Sequence, residues 1–166
     1  MFSSHSFFIS GKHDSFGVYL ILFLLTVFFT NVRQNVVSNN DCEICSDKAG
    51  YYMYLPATFH WGYGTAYYAK DFEEQHGYGF KIDRENDLVI TKFTSGVALL
   101  LSPFYGLGTL VDHLFSLENH PYSKFYLFFI NLGSAFYLVL GLYFLRKWLN
   151  QYVDSISSFW TMLALK

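Results

Sequence analysis

The chain has 166 residues, of which 52% are hydrophobic, 22% are aromatic and only 14% carry a charge. Soluble domains carry roughly 25% charged residues, so this composition argues against an ordinary soluble domain. The net charge of -2 does not indicate a class of partner, and no basic patch or basic–aromatic array indicates nucleic acid.

Three long uncharged runs predict transmembrane helices, because a bilayer core needs about 20 mostly apolar residues and at least about 17. The runs are Phe16–Val32, Phe93–Val111 and Phe125–Leu145. Spanning segments must be helical, because lipid offers the backbone no hydrogen-bond partners. We therefore expect an all-α membrane protein with three transmembrane helices, at residues 16–32, 88–115 and 122–145.

The first run follows a short N-terminal tail at residues 1–15 and has two interpretations. It could be a secretory signal peptide, but its apolar core is longer than usual and no small-x-small cleavage site follows it. We therefore expect an uncleaved anchor.

The loop at residues 33–87 is unusually long and rich in aromatic side chains. Unstructured loops of more than about 12–15 residues are uncommon unless they are functional or disordered, and aromatic rings with a polar edge favour the headgroup zone. We expect short juxtamembrane helices folded back onto the membrane and broken at Pro56, Gly62–Gly64 and Gly77–Gly79. The alternative is a small packed cap without chemistry.

The last part of the chain contains a turn and an amphipathic tail. The short polar turn Ser116–Ser123 predicts that the second and third spans form an antiparallel hairpin. In the tail, residues 146–166, large apolar side chains recur every three or four positions. This pattern predicts either an interfacial helix or the truncated start of a fourth span.

Both cysteines lie in one CxxC motif, Cys42 and Cys45. A structural zinc site requires four ligands and a redox motif belongs at a helix start in a βαβ unit, and neither context is present. The plain interpretation is a local disulfide in an oxidising compartment. A membrane thiol protein remains an alternative, and no metal site or cofactor is predicted.

The acids near this motif are candidates for a general base. Asp47 and Asp41 follow the first span closely enough to return to the membrane face. A carboxylate walled by Tyr51 and Tyr52 would be partly desolvated, which raises its pKa and suits a base. Lys92, before the second apolar run, is either an interfacial anchor or a contact for a lipid phosphate.

Two stretches resemble the beginning of the GT-C membrane glycosyltransferases. They are "GYYMYLPATF", preceded by an acid, and "KFTSGVALLLSPF" on the second span. The similarity is to the bacterial dolichyl-phosphate-mannose-protein mannosyltransferase-like and aminoarabinose transferase-like branches. It implies sugar transfer from a polyprenyl-phosphate donor to an extracytoplasmic acceptor, with Asp47, or next Asp41, as the catalytic carboxylate. It also implies that Lys92 contacts the lipid phosphate, while Arg84 is a second candidate contact without motif support.

The resemblance further implies a multi-pass protein of the plasma (inner) membrane, with the long loop extracytoplasmic. Such enzymes have about ten or more spans, so we expect the chain to be incomplete alone and its missing C-terminal spans to lie on a separate chain or to be lost. The rival hypothesis is a non-enzymatic small multi-pass membrane protein that binds a partner or lipid through its aromatic loop.

Overall fold

The structure, a computed structural model, describes residues 14–36, 44–77, 79–117 and 119–164. The N-terminal half contains α1 (Asp14–Val36), α2 (Asp47–Tyr52), α3 (Tyr54–Pro56), a π-helical turn (Ala57–Trp61) and α4 (Phe72–His76). The rest contains β1 (Phe80–Asp83), β2 (Leu88–Thr91), α5 (Gly96–Phe115), α6 (Lys124–Leu149) and α7 (Ser155–Ala164).

The chain divides into two compact units. One unit combines residues 1–29 with residues 135–166, and the other is residues 30–134. In the first unit, the rings of Tyr19 and Tyr143 meet edge to face at 5.8 Å. The second unit holds the buried core and all the site residues considered below.

A small β-hairpin corrects the predicted all-α fold class. β1 and β2 pair antiparallel, with Phe80 opposite Thr91 and Asp83 opposite Leu88. The β-branched run at Leu88–Thr91 favours a strand, and Asp83 caps the turn by accepting hydrogen bonds from the amides of Glu85 and Asn86. Helix α5 consequently begins only at Gly96.

The prediction of three transmembrane helices is also wrong. Among the described residues, two helices, α5 and α6, are long and apolar enough to cross a membrane. Within α1, the apolar part is limited to Phe16–Val32, which makes it a shorter apolar helix. At 1.5 Å per residue it reaches at most about 26 Å, against a bilayer core of about 30 Å.

The second unit contains the beginning of an α5–α6 hairpin. Gly133 and Gly108 allow close approach, since an added Cβ would lie 2.7 Å from the Phe104 ring at Gly133 and 3.0 Å from the Phe129 ring at Gly108. The rings of Tyr105 and Tyr126, both fully buried, stack at 4.8 Å between the helices. This packing orients the inner faces of both helices.

The segment from α2 to Trp61 lies alongside α5. Tyr52 meets Tyr105 at 5.9 Å, and one turn further on Phe59 meets the same ring at 5.4 Å. Pro56 lies within this helical segment, which ends at Gly62 with φ 74°. This part of the aromatic loop is therefore packed against α5.

Candidate functional site

A cavity of about 290 Å³ lies between α2, α5 and α6 in the second unit, and we call it the Lys48 cavity. Its polar side chains are Lys48 and Tyr51 from α2 and Asn131 and Ser134 from α6. The remaining lining is largely apolar and comprises Ile44, Tyr52, Leu55, Val97, Leu101, Leu127 and Ile130. Such a mixture can bind a molecule with an apolar body and one polar or anionic end.

Helical periodicity explains how these side chains come together. Lys48, Tyr51 and Leu55 occupy positions i, i+3 and i+7 of one continuous helical path. Leu127, Asn131 and Ser134 have the equivalent spacing on α6. Residues with this spacing share one helix face, so each helix contributes a single stripe to the wall.

Two glycines allow α2 to pack closely against the segment that leads into β1. A Cβ on Gly79 would lie 1.8 Å from the carbonyl oxygen of Ser46, and a Cβ on Gly50 would lie 2.3 Å from the carbonyl oxygen of Gly79. No larger side chain fits at this backbone contact without a shift of the main chain. The contact sets the position of the α2 turn that carries Lys48.

The polar groups of the cavity differ in how far they are already engaged. The hydroxyl of Ser134 donates to the carbonyl oxygen of Ile130 at 2.9 Å, which leaves its oxygen able to accept. Within the part of the chain that the structure describes, the Lys48 ammonium and the Asn131 amide have no hydrogen-bond or ion-pair partner. Together they offer several donors to an anion.

Tyr52, predicted to bind substrate, is engaged within the fold. Its hydroxyl donates to the carbonyl oxygen of Pro121, and its ring meets Tyr122 edge to face at 5.0 Å. Burial raises the pKa of Tyr52 far above its ordinary value, with a smaller contribution from the neighbouring Tyr105. Tyr52 therefore contributes its ring to the cavity wall and a neutral hydroxyl to the scaffold.

The first predicted acid, Asp47, lies outside the cavity lining. Asp47 is the first residue of α2 and is exposed, while the adjacent Lys48 lines the cavity. Asp41, the second predicted acid, lies outside the described residues. The structure thus places Tyr51 and Tyr52 in the cavity wall, whereas Asp47, the residue before Lys48, is not part of the wall.

The two predicted phosphate contacts have other local partners. The Lys92 ammonium lies 5.1 Å from the centre of the Phe93 ring, in a cation–π arrangement. The Arg84 guanidinium donates to the carbonyl oxygens of Tyr68 and Ala69, each at 2.9 Å. Neither side chain is part of the cavity lining.

Cys45 is disulfide-bonded, and its Sγ lies 3.4 Å from the carbonyl oxygen of Gln75. The only other cysteine of the chain is Cys42, which lies outside the described residues. Next to this bond, the amide of Ser46 donates to the carbonyl oxygen of His76 at 2.8 Å. The approach to α2 is thereby attached to the end of α4.

A second cavity, of about 320 Å³, lies at the other end of α5. Its lining is His60, Thr109, Asp112, His113 and Ser116. The Asp112 carboxylate is already engaged, because it accepts hydrogen bonds from the amide and side chain of Asn119 and from the Tyr126 hydroxyl. No group of three His, Cys, Asp or Glu side chains among the described residues could hold a metal ion.

Sequence reasoning missed Lys48, Asn131 and Ser134. The signal for the latter two was present, because polar residues within a long apolar helix usually face a cavity or another helix. Lys48 has no signal of its own, since it is one of several lysines in the loop. Its role depends on the packing of α2.

No family model, curated protein or solved structure matches the chain. The resemblance to GT-C glycosyltransferases therefore stays a prediction that depends on the two quoted stretches.

Proposed function

We propose that this chain is a multi-pass membrane protein that binds the phosphate head group of a lipid in the Lys48 cavity. The observation that carries the proposal is the composition of the cavity wall. One lysine and three other polar side chains stand in an otherwise apolar wall, built partly from two helices long and apolar enough to cross a membrane.

The chemistry of such a lipid matches this wall. A phosphate head group carries up to about two negative charges and accepts hydrogen bonds through several oxygens. Lysine binds phosphate as a point charge, and the Asn131 amide and Tyr51 hydroxyl can add directed donors. The acyl or prenyl chain would then lie against Val97, Leu101 and Ile130, where apolar surface leaves water.

The proposal is tested by measuring lipid affinity in the full chain. The protein is reconstituted in phosphatidylcholine nanodiscs, and binding of phosphatidic acid is followed by native mass spectrometry. Lys48→Gln should weaken binding by about tenfold or more, because a charge-assisted hydrogen bond contributes about 1.5–3 kcal/mol.

Lys70→Gln is the matched control, because Lys70 is exposed and lies outside the cavity lining. Equal weakening by both substitutions would indicate a general charge effect and reject the site. No preference for phosphatidic acid over phosphatidylcholine in the unsubstituted protein would reject phosphate recognition altogether.

Polyprenyl phosphate and phosphatidic acid share the head group, so a parallel measurement with each distinguishes the two sources. Tighter binding of polyprenyl phosphate identifies a lipid carrier as the ligand, and tighter binding of phosphatidic acid identifies a bilayer phospholipid. Lys92→Gln belongs in both series, because the sequence predicts the phosphate contact at Lys92.

Sugar transfer from a polyprenyl-phosphate donor is the second candidate function. It is favoured by the exposed position of Asp47, one residue before the cavity lysine. The protein would lie in the plasma membrane, with residues 44–91 on the extracytoplasmic side. Asp47 would take the proton of the acceptor hydroxyl, while Lys48 stabilises the departing phosphate.

Asp47→Asn separates this candidate from simple binding. Membranes containing the protein are incubated with a labelled polyprenyl-phosphate sugar and assayed for labelled acceptor. We expect transfer to be abolished and phosphate-lipid binding to persist, with Glu74→Gln as an exposed control. Undiminished transfer in Asp47→Asn would exclude Asp47 as the base, and no transfer in the unsubstituted membranes would leave binding as the better description.

A further inference from the structure

The end of the chain carries an exposed aromatic patch next to α6. We call it the C-terminal patch, and it consists of Trp148, Tyr152, Val153, Ile156 and Trp160. Ile156 is 71% exposed and Trp160 64%, and the two lie one turn apart on α7. Large apolar side chains at this level of exposure mark a surface that meets something other than water.

One ring contact and one buried side chain place α7 against its own unit. Phe159 lies 5.3 Å from the guanidinium carbon of Arg146, in the last turn of α6, and Ser158 is fully buried. Because Phe159 and Ser158 point inward, Ile156 and Trp160 remain on the outer face. α7 therefore presents Ile156 and Trp160 on the face turned away from its own unit.

A capping interaction starts α7 as a separate helix. The Asp154 carboxylate accepts hydrogen bonds from the amides of Ile156 and Ser157 and from the Ser157 hydroxyl. An N-cap of this kind defines a new helix start. The cap and the turn at Asn150–Val153 break the path of α6, so α7 does not continue the apolar helix before it.

We infer that α7 lies in the lipid–water interface and inserts the C-terminal patch into the headgroup layer of a bilayer. Tryptophan and tyrosine are the residues that favour this layer. Exposed Lys147, next to Trp148, can extend its ammonium into the same headgroup layer. The patch also follows directly on α6, which is long and apolar enough to cross a membrane.

This inference rests on the proposed membrane location and is tested by depth-dependent fluorescence quenching. The full chain is reconstituted in vesicles of phosphatidylcholine and phosphatidylglycerol, in which part of the lipid carries bromine either near the ester groups or near the bilayer centre. The chain has three tryptophans. Trp61→Phe/Trp148→Phe leaves Trp160 as the only emitter.

We expect shallow bromine to quench Trp160 more strongly than deep bromine does. Stronger quenching by deep bromine would overturn the inference, because α7 would then begin a further span. No quenching by either lipid would also overturn it, since the patch would face water or a protein. Ile156→Ser in the same background should reduce the shallow quenching, whereas Thr161→Ser, at an exposed polar position, should not.

A reporter in α6 separates this inference from the proposed membrane location. Phe136→Trp, with all native tryptophans replaced by Phe, places the emitter at an exposed position within α6. Deep quenching of that emitter supports a spanning α6. Its absence, together with shallow quenching of Trp160, would reject the span and retain the interfacial helix.

Discussion

Thr91 joins three segments of the chain through one hydroxyl group. This hydroxyl lies 3.1 Å from the carbonyl oxygen of Gly50 and 3.2 Å from that of Gly79, and its oxygen accepts the amide of Phe93 at 3.2 Å. Its single proton is shared between the two carbonyls. The turn of α2 that presents Lys48 is thereby tied to β2 and to the residue that precedes β1.

Replacing this hydroxyl should destabilise the second unit. Thr91→Val keeps the shape of the side chain but leaves carbonyl oxygens without a donor, so we expect a loss of about 1–3 kcal/mol in the free energy of unfolding. Denaturant unfolding in detergent micelles measures it. Thr94→Val, at an exposed position in the same linker, is the control, and an equal effect of both substitutions would contradict the role of Thr91.

Alanine substitution should have opposite effects on stability at Gly79 and at Gly96. Gly79→Ala places a Cβ 1.8 Å from the Ser46 carbonyl oxygen, so the backbone must shift and we expect a stability loss of about 1–3 kcal/mol or more. Gly96→Ala meets nothing within 4 Å and begins α5, where alanine is the better helix former. Denaturant unfolding of both variants measures the two effects. An unchanged free energy of unfolding in Gly79→Ala would disprove the tight packing.

One carboxylate attaches the turn of the β-hairpin to the loop before α4. Asp87 accepts hydrogen bonds from the amide and hydroxyl of Thr65 at 2.8 and 2.7 Å. The bond from the Thr65 amide, and to a smaller extent that from its hydroxyl, hold the pKa of Asp87 below its ordinary value of 3.8. A lowered pKa means that Asp87 stabilises the fold above its ordinary pKa and that this contribution is lost as the pH falls through the lowered value.

Asp87→Asn should therefore remove part of the acid sensitivity of the fold. At pH 7 we expect the variant to be less stable than the unsubstituted protein, and the difference should shrink below about pH 4. Melting temperatures over this pH range measure it, with Glu85→Gln in the exposed turn as the control. A difference that grows in acid would have the wrong sign and would refute the assignment.

At the scale of elements, apolar runs predict the long helices but do not predict the β-hairpin. The runs at Phe93–Val111 and Phe125–Leu145 match α5 and α6 closely, because a long uncharged stretch has few other ways to satisfy its backbone. The apolar residues Leu88–Thr91 adjoin the second apolar run, and hydropathy therefore predicts that they extend the second span. Only pairing with Phe80–Asp83 makes them a strand, and hydropathy does not report pairing.

Across the second unit, histidines pack into an aromatic cluster. His76 stacks on Phe72 at 4.2 Å and meets Tyr122 at 4.6 Å, and His120 lies 5.4 Å from Trp61. Burial lowers the pKa of His76 below its ordinary value of 6.5, against an opposing hydrogen bond with the Phe72 carbonyl, and the pKa of His120 is lowered by the same cause. Burial in the cluster therefore favours the neutral imidazoles of His76 and His120.

The cluster should make the second unit sensitive to mild acid. The unfolded chain takes up protons below about pH 6.5 before the folded histidines do, so stability is complete above that pH and decreases as the pH falls. Near-ultraviolet circular dichroism of the cluster, recorded during heating at pH 7.5 and 5.5, measures the change. His76→Gln should lessen the pH dependence, and His113→Gln, at an exposed position, should not. A melting temperature that rises in acid would contradict this prediction.

Apolar runs and their spacing are sufficient to predict long apolar helices, with the polar segment Ser116–Ser123 between two of them. These properties depend on local composition and on a helical period that any segment displays alone. Tertiary structure decided the site, because Lys48 gains a role only when Gly50 and Gly79 let α2 approach the hairpin and bring one stripe of α2 opposite Asn131 and Ser134. It also decided that Arg84 bonds to carbonyl oxygens and Tyr52 to Pro121, since the partners of a polar side chain are set by distant parts of the chain.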